Sequence, residues 1–200
     1  MNAGHSRDSE RASDPWLSEH TDVLTAGMTV LELGSGGGED CADLVSFGID
    51  VIAFDKSLWG LRRIRERAPG ARFVRGDMRE PLPFPDEQFD AVVASLSIHY
   101  FDWRTTERIV AEIYRVLRPE GWIVCRVNRV GDVHFEYGEG KEIEPEFFEM
   151  RAGHTKRFFN KAQLRALLET AFYVDSIVPR VSTRWGKDKQ TLVARAQRRA

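Results

Sequence analysis

From about Met28 to Arg126, short β-branched apolar runs alternate with segments of helical period, the pattern of a parallel sheet flanked by helices. The predicted strands are Met28–Leu33, Val51–Asp55, Ala71–Asp77, Phe89–Ser95 and Gly121–Asn128. Their near-continuous apolar character suits strands covered on both faces. Between them, Asp40–Phe47 predicts a short helix. Ser57 is placed to cap a second, with Leu58, Leu61 and Ile64 on one face, which ends at Pro69-Gly70. The clearest helix starts near Trp103 and carries Ile109, Val110, Ile113, Tyr114, Val116 and Leu117 as one stripe, punctuated by Arg118-Pro119-Glu120-Gly121. Pro81, Pro83 and Pro85 mark a loop between the third and fourth strands.

After Asn128 the pattern changes. Residues 129–157 mix glycines and acids with Phe135, Tyr137, Phe147 and Phe148 and show no clear period, so they are expected to form a lid inserted over a site. Helical period returns over Asn160–Thr170, followed by Phe172–Ser182 and Gln190–Ala196 as two final strands. The short connection through Trp185-Gly186-Lys187-Asp188-Lys189 suits an antiparallel hairpin. The expected architecture is α/β: a seven-stranded, mostly parallel sheet with an antiparallel final strand, in three α/β/α layers.

The 200 residues fall in the range of one domain, read as 15–200, and 42% hydrophobic residues suffice for one core. The polar first 14 residues read as a disordered tail without the apolar centre of a signal peptide. Lys+Arg 29 against Asp+Glu 31 leaves a net charge of -2, so no global basic field draws nucleic acid or anionic lipid. Cys41 and Cys125 lack paired spacing and lie in apolar surroundings, which argues against a disulfide or metal framework and suits a cytoplasmic protein. A small-molecule partner is favoured over nucleic acid or a membrane.

The chemistry begins where the first strand runs into Gly34-Ser35-Gly36-Gly37-Gly38 and then a helix, a turn that lets backbone approach a ligand closely. Glu39 stands where the dinucleotide fingerprint G-x-G-x-x-G requires its third glycine. Glu32, Glu39 and Asp40 also make the surroundings hostile to a pyrophosphate and better suited to a cation, such as a sulfonium with an ammonium group. Asp55, followed by Lys56, ends the second strand where a carboxylate accepts from both ribose hydroxyls of a nucleoside. At the third strand's end, Asp77 and Met78 offer a carboxylate to an adenine amino group and an apolar side chain to its ring face.

With these residues in order, the chain resembles a class I, Rossmann-like S-adenosylmethionine-dependent methyltransferase of the small bacterial type across roughly Met28 to Ala196. The similarity is carried by VLELGSGGG, VIAFDKS, RGDM and FDAVVASLSIHYF followed by VLRPEGWIV, and by the closing hairpin. The resemblance implies that Gly34, Ser35, Gly36 and Gly38 line the methionine part of S-adenosylmethionine, with Glu32 near its ammonium. Asp55 and Lys56 would then lie at the ribose, Asp77 and Met78 at the adenine, and Ser95 to Ser97 beside the sulfonium. His99 and Tyr100 are the candidates for catalysis. Arg126 and Asn128 at the fifth strand's end, with His134, Tyr137 and Arg157 of the lid, are the candidates for the acceptor.

No metal is expected, because Arg126 and Asn128 occupy positions where metal-dependent relatives place acids. The Asn-Pro-Pro-Tyr signature of nucleic-acid and protein-amide methylating branches is absent, since Ala94-Ser95-Leu96-Ser97 stands there. The resemblance implies methyl transfer to oxygen, nitrogen, sulfur or a chalcogen of a small molecule, yielding S-adenosylhomocysteine. A non-catalytic adenosyl-binding protein and a nicotinamide-dependent oxidoreductase are the alternatives.

Overall fold

The computed structural model describes residues 14–151 and 153–199, so the expected N-terminal tail lies outside the described residues except for Asp14. A 3-10 turn over Pro15–His20 leads to β1 (Thr29–Leu33), α1 (Glu39–Ser46), β2 (Asp50–Asp55), α2 (Leu58–Arg67), β3 (Arg72–Arg75) and β4 (Phe89–Ser95). A 3-10 turn at Ile98–Tyr100, α3 (Trp103–Val116) and β5 (Leu117–Asn128) follow. After a 3-10 turn at Val133–Phe135 come β6 (Lys141–Glu144), β7 (Phe147–Glu149), β8 (Thr155–Arg157), α4 (Lys161–Glu169), β9 (Phe172–Ser182) and β10 (Lys189–Arg198).

Seven strands form the main sheet in the order β3-β2-β1-β4-β5-β10-β9. β1 pairs in parallel with both β2 and β4, whereas β10 is antiparallel to both β5 and β9. The expected seven-stranded sheet with one antiparallel final strand is therefore the observed one. Because side chains alternate across a strand, each apolar run supplies two layers. Leu31, Leu33, Ile123, Cys125 and Val127 pack on the side of α3 and α4, with Ile109, Ile113, Leu164 and Leu168. Val30, Val51, Val93 and Val124 pack on the side of α1 and α2, with Leu44, Ile64 and, from the 3-10 turn, Trp16 and Leu17. The same alternation places Glu32 on the face of Val30, and Arg126 and Asn128 on the face of Val124.

The helices begin where capping chemistry directs. The Ser57 hydroxyl accepts from the Gly60 N–H at 3.3 Å, and Asp102 accepts from the Thr105 N–H at 2.8 Å. Asn160 and Gln163 exchange reciprocal bonds as a capping box.

Two expectations about element limits change. The fifth strand starts at Leu117 rather than Gly121, because Leu117 already pairs with Phe89. Arg118 to Gly121 bulge out before pairing resumes at Trp122 with Ala91. The lid contains regular structure that its sequence pattern does not signal: β6, β7 and β8 form a three-stranded antiparallel sheet.

The proline loop is held from α3. Arg115 donates to the Leu82 carbonyl at 3.0 Å and the Phe84 carbonyl at 2.8 Å, while Glu112 accepts from the Leu82 N–H at 2.8 Å and from Arg115. This seats Leu82 and Phe84 in the core, where Phe84 meets Phe89 edge-on at 5.1 Å. Arg115→Met leaves both carbonyls without this donor, so we expect chemical denaturation to show a loss of about 1–3 kcal/mol. An unchanged midpoint would mean that burial of Leu82 and Phe84 alone holds the loop.

Candidate active site

The strand order reverses at β1, which lies between β2 and β4, and the crevice this creates opens at the carboxyl ends of the strands. The glycine turn sits at its floor. Gly34 and Ser35 donate to the Phe54 carbonyl at 2.7 and 3.2 Å, tying the turn to the end of β2. Gly34 has φ +80°, and a Cβ there would overlap the Cβ of Ser97 beyond β4, so only glycine fits. Asp55 bridges the turn and α2: one carboxylate oxygen accepts from the Gly36 N–H at 2.9 Å and the other from the Ser57 N–H at 2.8 Å.

A cavity of about 920 Å³ follows this crevice. Gly34, Gly36, Asp55, Lys56, Asp77 and Met78 line it from the first three strand ends, and Leu96, Ser97 and Tyr100 from beyond β4. The lid closes the opposite wall with Ile143, Phe147, His154 and Thr155. Asp77 holds Arg79 through a two-pronged contact of 2.5 to 3.1 Å, and the guanidinium keeps its carboxyl down at about 2.

Among the described residues, eight buried side-chain polar atoms have no hydrogen-bond partner, and four of these belong to Glu32, Ser35, Ser97 and His99. They cluster at and just beyond the ends of β1 and β4. Buried polar groups are normally satisfied, so their grouping marks where a polar ligand belongs. Glu32 is 3% exposed on the α1 side, and its carboxyl is pushed well above the usual carboxylate range by burial, then by Asp40. Such an acid prefers to be protonated unless a cation arrives beside it. His99 is also buried, and desolvation, assisted by the charges of Lys189 and Lys156, moves its pKa well below the ordinary histidine value. Its imidazole is therefore neutral near pH 7, with Nδ1 free.

The residues read as acceptor contacts separate. Tyr137 packs edge-on against Phe148 and Phe158 within the lid, and His134 is exposed. Arg157 clamps the lid to α3: it pairs with Glu144, donates to the Pro145 carbonyl at 3.1 Å and lies over the rings of Phe147 and Trp103 at 4.7 and 5.4 Å. The backbone N–H of Trp103 in turn donates to Glu144 at 3.1 Å. None of these three lines the cavity.

Arg126 and Asn128 instead join a buried charged and aromatic cluster on the α1 side. Arg126 pairs with Asp14, donates to the Ser95 hydroxyl at 2.9 Å and lies over Trp16 at 4.6 Å and Trp185 at 5.7 Å. Asn128 accepts from Lys189 at 2.8 Å; Lys189 also approaches Asp132 at 3.5 Å and lies over Phe135 at 4.2 Å. Burial pulls Lys189 down to about 8. Sequence reading passed over Asp14, Trp16, Asp132, Trp185 and Lys189. The one available signal was Trp185 and Lys189 within a connection that needs only small turn residues.

Residues 31–125 match the methyltransferase domain family. Over 114 residues the chain is 39% identical to a demethylmenaquinone methyltransferase of Beutenbergia cavernae, covering 54% of this chain and 45% of that protein. The chain thus spans about half the length of the curated relatives it matches. Among solved structures, an S-adenosylmethionine-dependent methyltransferase from Methanosarcina mazei superposes with a TM-score of 0.79 at 23% identity, covering 90% of this chain and 97% of that one. The 1,6-didemethyltoxoflavin-N1-methyltransferase of Burkholderia thailandensis, solved with its substrate and S-adenosylhomocysteine, gives 0.75 at 22% identity, covering 96% and 80%. At these identities the structural likeness establishes the fold.

Glu32 yields a pH-dependent test. An acid whose folded pKa is raised favours the fold most below its unfolded value, 4.5, and that advantage is lost as pH rises toward the folded pKa. Glu32→Gln removes the penalty of ionisation, so thermal denaturation of the ligand-free protein should show the variant gaining on the parent as pH rises above 4.5. A constant difference across that range would place the Glu32 carboxyl in an ordinary environment.

Proposed function

Proceeding from a methyltransferase domain over residues 31–125 and the class I methyltransferase fold, we propose that this chain transfers a methyl group from S-adenosylmethionine to a nucleophilic atom of a small molecule. The observation that carries the proposal is the set of unpartnered buried groups on Glu32, Ser35, Ser97 and His99, beside a crevice that ends in Asp55 and Asp77. One end of that set calls for a cation, and the crevice suits a nucleoside.

S-adenosylmethionine, when bound, would supply an electrophilic methyl group on a sulfonium. The chain's own residues bind, align and keep out water. Glu32 receives the ammonium and becomes ionised as it does so, directly or through a water. The turn of Gly34, Ser35 and Gly36 holds the methionine backbone, and Asp55, with Lys56 beside it, receives the ribose hydroxyls. Asp77 accepts from the adenine amino group while Met78 and the lid residue Phe147 enclose the ring. Ser95 to Ser97 border the reacting centre. The enzyme's contribution is mainly in-line alignment and exclusion of bulk water by the lid.

His99 is the base where the acceptor carries a proton. The neutral imidazole has Nδ1 available, and burial keeps it unprotonated over the neutral range. Tyr100, half-exposed with its ring tilted against that of His99 at 4.4 Å, lines the cavity and shapes the approach. A small acceptor is favoured by the net charge of -2, which offers nucleic acid no general attraction.

Calorimetry with S-adenosylhomocysteine tests the cofactor half: the parent should bind, and Asp55→Ala should weaken binding by about 1–3 kcal/mol. Equal affinities would remove Asp55 from the site. For the chemical half, a methyl-transfer screen across thiols, phenols, amines and chalcogen oxyanions should identify an acceptor. With a protonated acceptor, His99→Gln should lower kcat and flatten its pH profile while leaving S-adenosylhomocysteine affinity within about twofold. A variant with the parent's rate and profile would exclude His99 as base.

A further inference from the structure

The cluster on the α1 side of β5 has two cations and a carboxylate that is there for no local structural reason. Asp14 immediately precedes the 3-10 turn of Pro15–His20, a position where an acidic side chain normally caps its own helix, yet it makes no cap bond. Its carboxylate instead pairs with Arg126, 112 residues away in sequence. Arg126 is 3% exposed, so its charge requires a partner. The neighbouring acid, Asp40, stands 3.8 Å from the guanidinium and already accepts from the Trp16 indole N–H at 3.1 Å. Asp14 is therefore the closest counter-charge.

Lys189 is the second cation. Its ammonium has three donors and two polar contacts, Asn128 at 2.8 Å and Asp132 at 3.5 Å. Trp185 lies between the two cations, its ring centre 5.7 Å from each. Arg126 also reaches the Ser95 hydroxyl, at the end of β4 and two residues from the Ser97 that packs over Gly34. An acidic group bound at Arg126 would thus extend its carrier toward the reacting centre assigned above.

We propose that Arg126 seats an acidic group of the methyl acceptor, a carboxylate borne on a flat conjugated body, in the place the Asp14 carboxylate takes here, with Lys189 adding positive charge to the surroundings. The choice of a flat body follows from Trp16, Trp185 and Phe135, whose rings wall the cluster. Asp14 is the internal stand-in, and it leaves without disturbing the turn behind it, since Trp16 and Leu17 are anchored in the core. This assignment names the substrate class for the methyltransferase reading and rests on that reading.

The test uses the full chain with benzoate as probe and neutral, isosteric benzamide as control, followed by tryptophan fluorescence and calorimetry without and with added S-adenosylhomocysteine, whose own binding is measured in the same titrations. The parent should prefer benzoate. Asp14→Asn should strengthen benzoate binding by about tenfold and leave benzamide unchanged, because the internal competitor is gone. Benzoate should also raise the melting temperature of Asp14→Asn more than that of the parent. Arg126→Gln should abolish the preference, and Arg126→Lys should retain part of it, which separates loss of charge from loss of fold.

Equal affinity for benzoate and benzamide in Asp14→Asn would overturn the proposal, as would a fall in benzoate affinity on removing Asp14. If S-adenosylhomocysteine binds and the preference is missing, the acid seat alone fails. If the preference is present and S-adenosylhomocysteine does not bind, the methyltransferase reading fails while the acid seat stands.

Discussion

The close approach of the glycine turn to the end of β4 governs the geometry of this protein. β1 is paired on both sides, with β2 and with β4, so the chain leaving it has no freedom to move sideways. Gly34 passes against Ser97 on one side and donates to the Phe54 carbonyl on the other. Any side chain at Gly34 would separate the ends of β1 and β4 and open the floor of the crevice. Glu32, two residues earlier, is committed by alternation to the buried α1 face. The strand therefore carries an acid into the interior at the point where the sheet opens, and one of its carboxyl oxygens has no hydrogen-bond partner there.

Around this floor the site has two unlike walls. On one side the lid sheet is fastened by polar and stacking contacts: Arg157 to Glu144, Glu144 to the Trp103 N–H, and the Thr155 hydroxyl to the Tyr100 carbonyl at 2.6 Å. Such a wall is specific in position, because the first contact braces the lid internally and the other two join it to the start of α3 and to the turn before it. On the other side, cations and acids are buried together among indole rings. Removing charges from water is costly, and this cluster recovers the cost only through close pairing and the stacked aromatic faces.

The legibility of the sequence follows the range of the interactions. The run VLELGSGGG, Asp55 at a strand end and Asp77-Met78 at the next are local signals, because a turn needs its glycines and a strand end presents its last side chain wherever the strand lies. The helix starts at Ser57, Asp102 and Asn160 are equally local, and caps form at each. The small sheet of β6 to β8 is different. Its strands are three or four residues long, with Phe147 and Phe148 both buried, so no alternation is long enough to read. Its form comes from its own strand pairing and from docking against the turn at Ile98–Tyr100 and Trp103 rather than from its period.

The amino-acid sequence by itself determined the α/β architecture, the antiparallel closing strand and the placing of Asp55 and Asp77 at the mouth of the crevice, since each depends on spacing within a short stretch of chain. The tertiary structure decided what Arg126, Asn128, Tyr137 and Arg157 touch. It removed Tyr137 and Arg157 into lid packing and brought Asp14, Trp16, Trp185 and Lys189 to Arg126 and Asn128. Those contacts join segments separated by up to 112 residues, and only closure of the sheet with β10 beside β5 places them within reach. A side chain's type can be read along the chain, but its partner is chosen by the fold.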